Sequence, residues 1–134
     1  MAKLETVEGI GPFYADKLRA AGIGSLEVLL NAGATPEGRK ELVERTGIGS
    51  EYILDWVNRA DLMRIRGVGE EYSDLLEKAG VDTVVELAQR NPENLHQRLL
   101  DVNAEKRLVR RPPSLGMVVS WVEQAKALPR AVSY

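Results

Sequence analysis

Residues 7–30, VEGIGPFYADKLRAAGIGSLEVLL, recur at a shift of 58 as IRGVGEEYSDLLEKAGVDTVVELA over 65–88. Eight positions are identical, among them Gly9/Gly67, Gly11/Gly69, Tyr14/Tyr72, Leu18/Leu76 and Gly22/Gly80. Glycines and apolar residues repeated in one register mark an internal duplication, so the chain must build two copies of one small unit. The repeat resumes where ILDWVNRA (53–60) resembles VVSWVEQA (118–125), which sets Trp56 opposite Trp121. The shift there is 65, which places about seven extra residues in the second copy, near 103–111. The duplication divides the chain into a first lobe over 1–61 and a second over 62–134.

A third Gly-x-Gly stands at Gly47 and Gly49. In all three copies a large apolar residue follows the second glycine by seven positions: Leu18, Trp56 and Leu76. A leucine precedes the first glycine by five: Leu4, Leu42 and Leu62. A fourth copy is degenerate, with Pro112, Pro113 and Ser114 in place of the glycines. Glycine admits positive φ and close backbone approach, so Gly-apolar-Gly reads as a tight turn with the middle side chain turned into the core. Pro12 then suits the first turn of a helix, Ser50 offers a capping oxygen, and Gly22 ends the helix. The apolar spacing is helical throughout. It predicts helices near 12–21, 25–32, 37–45, 50–63, 70–79, 83–90, 93–101 and 115–127, with the last residues, PRAVSY, left to fray. The expected fold class is all-α.

The 134 residues include no cysteine, which removes disulfides, thiolate nucleophiles and Cys-based zinc sites. His96, the sole histidine, reads as a surface helix residue rather than a ligand or base, with no cysteine or second histidine to complete a metal site and no nucleophile–base–orienter set in the sequence. We therefore expect no catalytic residues, no metal and no cofactor. No apolar run is long enough to cross a membrane, and the N-terminus lacks a secretory signal, which favours the cytoplasm. The formal charge is −2, unevenly spread. Residues 1–61 hold seven Lys/Arg against ten Asp/Glu, and 62–134 hold eleven against ten. The excess lies in Arg98, Lys106, Arg107, Arg110 and Arg111, which face only Asp101 and Glu105. This run is either a solvated helix and loop or a strip that docks an anionic partner. Phe13, Trp56 and Trp121 read first as core residues, and otherwise as a partner-binding patch.

The spacing of Leu4, Val7, Gly9, Ile10, Gly11 and Ala15 resembles the helix-hairpin-helix motif. Leu62, Ile65, Gly67, Val68 and Gly69 match it again, with Ser73 at the alanine position. Leu42, Gly47, Ile48 and Gly49 match a third time, with departures at Arg45 and Ile53. Nearly the whole chain is similar to a bacterial domain of unknown function built from duplicated units of this kind. The resemblance implies two tandem, pseudo-symmetric helix-hairpin-helix lobes in one compact domain. It also implies sequence-independent binding of the DNA backbone. The hairpin amides at Gly9, Gly11, Gly47, Gly49, Gly67 and Gly69 would hold phosphates, assisted by Lys17, Arg19, Arg64 and Arg66.

The charges beside the hairpins point elsewhere. Glu8, Glu51, Glu70 and Glu71 stand where a phosphate grip calls for Lys or Arg. The expected function is thus a non-enzymatic protein-interaction adaptor or scaffold with an unidentified protein partner. Nonspecific DNA binding is the alternative.

Overall fold

Leucine, valine and isoleucine at helical spacing, punctuated by glycine and proline, build an all-helical chain. The computed structural model describes residues 2–134. A 3-10 turn at Leu4–Thr6 precedes eight α-helices: α1 (Pro12–Ala20), α2 (Leu26–Ala32), α3 (Pro36–Thr46), α4 (Ser50–Leu62), α5 (Glu70–Lys78), α6 (Val84–Ala88), α7 (Pro92–Lys106) and α8 (Leu115–Ala127). Backbone packing forms two units: residues up to Asp61 together with Ala131–Tyr134, and Leu62–Arg130.

In the first unit, α1 packs on the 3-10 turn and α2 on α3. Leu4, Leu18, Leu29, Ile53, Trp56 and Val57 are almost wholly buried at its centre. In the second unit, α8 lies against α6 and α7, and α5 against α7. Its core gathers Leu75, Leu76, Leu87, Leu99, Val118 and Trp121. The helix starts follow local chemistry. Ser25, Thr35, Thr83, Asn91 and Ser114 each accept a backbone N–H from the first turn of the helix that follows. Such a cap contributes about 1 kcal/mol over alanine. Helices α1 and α5 share one stop signal. Gly22 N–H donates to Arg19 O and Ile23 N–H to Leu18 O, as Gly80 and Val81 do to Glu77 and Leu76. This paired bonding satisfies the last carbonyls.

Two expectations are corrected. Helix α7 runs on to Lys106, so the first part of the expected insertion is helical and the loop begins at Arg107. Leu95, Leu99, Val102 and Asn103 keep one face of α7 buried to that point. The final residues do not fray. Val132 is buried. Ser133 N–H donates to Ala34 O at 2.8 Å, and Arg39 Nη2 to Ser133 O at 2.8 Å. An apolar side chain and backbone partners hold what composition alone assigns to solvent.

Candidate functional site

Each Gly-x-Gly turn buries its middle residue: Ile10, Ile48 and Val68. In the first turn, Ile10 N–H donates to Val7 O at 3.1 Å; in the second unit, Val68 N–H donates to Ile65 O at 3.1 Å. Gly9 has φ +98° and Gly67 φ +96°, a region closed to most side chains. A tryptophan indole covers each of these glycines. Trp56 Nε1 lies 3.4 Å from where a Gly9 Cβ would stand, and Trp121 Nε1 lies 3.1 Å from the corresponding point at Gly67. Tyr14 meets Trp56 with ring centroids 5.1 Å apart, and Tyr72 meets Trp121 at 5.2 Å. The 47–49 turn differs. Gly47, at φ +72°, closes α3, and Ile48 N–H donates to Thr46 Oγ1. Helix α4 begins at Ser50, so Gly49 holds the preceding position where a capping side chain would act.

Gly11 and Gly69 precede α1 and α5 with no side-chain cap, and a Cβ on either would meet open space. Three of the four cations named with the turns have other engagements. Arg19 Nη2 bonds Glu5 Oε1 at 2.7 Å, which holds the Glu5 carboxyl below its usual value. Arg64 Nη2 donates to Pro129 O at 2.7 Å. Lys17 Nζ sits 4.9 Å above the Phe13 ring, a cation–π contact. The Arg66 backbone is fastened by Gln124 through both its N–H and its carbonyl, and its side chain is exposed.

Carboxylates stand beside two of the turns. Glu51 folds back until its Oε1 lies 2.9 Å from a Gly49 Cβ position. Glu70 and Glu71 are exposed in the first turn of α5, where they complement that helix's dipole. The first turn instead presents rings. Phe13 is 66% exposed and Tyr52 48%. Tyr14 bridges them, with centroids 5.4 Å from Phe13 and 6.0 Å from Tyr52. Trp56 and Trp121 are core residues, as read from sequence, whereas Phe13 is a surface residue. Helical phase sets Phe13 on the face of α1 opposite the buried Ala15 and Leu18.

In the second unit, the basic run comes next to the turn. Tyr72 OH donates to Arg111 O at 2.8 Å. A concavity of about 590 Å³ is lined by Glu71, Asn103, Arg107, Leu108, Arg110 and Pro112. Arg98, Lys106, Arg107, Arg110 and Arg111 are all exposed, and Arg98 lies on α7 apart from that lining.

A family model described as a domain of unknown function, DUF4332, matches residues 8–128. The chain belongs to the DUF4332 family. No solved structure matches it. The DUF4332 match takes in all three Gly-x-Gly turns, the aromatic surface and the basic loop. No helix among the described residues of this DUF4332 chain is long and apolar enough to cross a membrane.

Sequence reasoning missed two contributors. Tyr52 is exposed on α4, three helices after Phe13 on α1, and only their shared contact with Tyr14 unites them. Asn103 is buried behind the basic loop. Its one available signal was a polar residue at the i+4 place after Leu99 on an otherwise apolar helix face.

Proposed function

We propose that this DUF4332 chain is a cytoplasmic, non-enzymatic protein-interaction module built on helix-hairpin-helix units. It engages a partner through the aromatic surface of its first unit. One observation carries the reading: Phe13, 66% exposed, and Tyr52, 48% exposed, flank Tyr14, and Tyr14 and Tyr52 rest on the fully buried Trp56. Exposed rings on a rigid base are suited to protein contact, because they bury large area at little entropic cost. The carboxylates of Glu51, Glu70 and Glu71 beside the other turns add support, since they oppose a phosphate.

DNA-backbone binding is the second reading. It is favoured by the uncapped Gly11 and Gly69, whose helices leave their first amides to an outside acceptor.

A photo-crosslinking phenylalanine analogue at position 13, irradiated in cells, tests both. The expected product is a discrete protein adduct that Tyr52→Glu removes. Nucleic-acid adducts, together with salt-sensitive micromolar binding of a labelled random duplex, would establish the second reading. Absence of any adduct would reject the first.

A further inference from the structure

The loop after α7 is unusual in being both basic and fixed. Asn103, buried on α7, grips it from below: Nδ2 donates to Val109 O at 3.1 Å and Oδ1 accepts Val109 N–H at 2.9 Å. His96 Nε2 reaches Pro113 O at 3.0 Å, and Tyr72 OH reaches Arg111 O at 2.8 Å. Val109 and Pro113 are buried. Three arginines project from this pinned segment. Among the described residues, Arg107, Arg110 and Arg111 make no ion pair, and neither do Arg98 and Lys106. Arg107 also has φ +51° and ψ +49°, the one non-glycine residue with positive φ among those described. Glycine or asparagine is the ordinary occupant of that helix-ending position. A strained arginine kept there, beside a concavity, marks the charge as the useful part.

We infer that this concavity docks an acidic linear segment of a partner protein. Two carboxylates of the segment meet Arg107 and Arg110, whose guanidinium forks match carboxylates in paired hydrogen bonds. An apolar side chain between them sits against Leu108 and Pro112, which line the same hollow. Leu108 and Pro112 give the otherwise polar hollow an apolar part that suits an aliphatic peptide side chain, and its lining holds no aromatic ring on which a base would stack. Glu71, which lines the same hollow, and exposed Asp101 and Glu105 on α7 interrupt the continuous positive track that a long polyanion needs, whereas a short segment keeps its carboxylates on Arg107 and Arg110. Because the loop is already fixed, little ordering cost is charged to binding.

This inference rests on the protein-interaction reading but is tested apart from it. Crosslinks from position 13 report the first unit, and the titration below reports the basic loop. A fluorescein-labelled peptide alternating glutamate and leucine is titrated with the full chain and followed by anisotropy. The controls are the same peptide with glutamine for glutamate and an oligothymidylate of equal charge. The expected result is binding of the acidic peptide in the micromolar range, weakened about tenfold by Arg110→Glu. Arg107→Gly weakens it several-fold while Tm holds or rises, because glycine relieves the positive φ; loss of fold then cannot explain loss of binding. Should Tm fall in that variant, Arg110→Glu with an unchanged Tm decides alone. Equal binding of the glutamine peptide, tighter binding of the oligothymidylate, or indifference to both substitutions would each overturn the inference.

Discussion

Two residues beyond its second turn glycine the first unit carries Phe13; the second carries Glu71 at the same place. Where the first unit sets Tyr52 on the helix bearing its tryptophan, the second has Met117. Beneath these differences the turns agree: a glycine near φ +97° in each, a buried branched residue after it, and an indole within 3.4 Å of the missing Cβ. The comparison separates two kinds of constraint. Gly9, Gly67, Trp56 and Trp121 answer to packing, which tolerates little change. Phe13 and Glu71 face solvent, where a duplicated unit is free to acquire a second surface.

The largest expected effect tests whether the two indoles have one role. Trp56→Ala and Trp121→Ala should each destabilise by about 3–5 kcal/mol in urea unfolding. A disparity well beyond that range would mean that the turns are not equivalent supports. Next come the glycines. Gly67→Ala should cost about 2 kcal/mol, from the strained φ and the crowded indole, and Gly9→Ala slightly less, since its indole stands farther off. The reverse order would break the packing argument. Exchanging the surface residues should barely move stability. Phe13→Glu and Glu71→Phe are each expected within about 0.5 kcal/mol of the parent. With the photo-crosslinker moved to position 52, Phe13→Glu should nonetheless abolish the protein adduct, and Glu71→Phe should leave it intact.

The smallest effect concerns pH and belongs to the first unit alone. The Arg19 guanidinium holds the Glu5 carboxyl below its ordinary 4.5. The counterparts at a shift of 58 are Met63 and Glu77, which form no such pair. A carboxyl depressed by folding adds stability that is present above its unfolded value and is lost as pH falls through its folded value. Glu5 is exposed, so solvent screens the gain. Glu5→Gln should therefore slightly flatten the acid limb of a Tm-against-pH curve, with the neutral limb almost unmoved.

The helices were legible because their ends are written locally. Pro12, Pro36 and Pro92 open three of them, and Gly22, Gly47 and Gly80 follow the ends of three. The repeated Gly-x-Gly pattern likewise marks Ile10, Ile48 and Val68 as inward residues, and all three are buried. What escaped depends on distance in sequence. Val132 finds its apolar neighbours across most of the chain, and Asn103 reaches Val109 only because Arg107 turns left-handed, a conformation that an arginine does not advertise. Gly33 and Gly38 are close-packed glycines that stand outside the Gly-x-Gly pattern. A Cβ on Gly33 would overlap Val57, and one on Gly38 would overlap the Ala32 carbonyl. Gly38 lies within α3, where glycine costs about 1 kcal/mol against alanine, and that penalty was the available clue.

The fastening of Ser133 to Ala34 has a mechanical consequence. The chain leaves the first unit after Asp61 and returns to it at Ala131, so the second unit is a closed loop between two anchored points. Tension applied at the two ends of the described span is borne first by the first unit and its Val132–Tyr134 clasp. Residues 62–130 stay slack until that clasp parts, and only then come into series with the load. A stretched molecule would thus lengthen in two events, with the basic loop protected through the first.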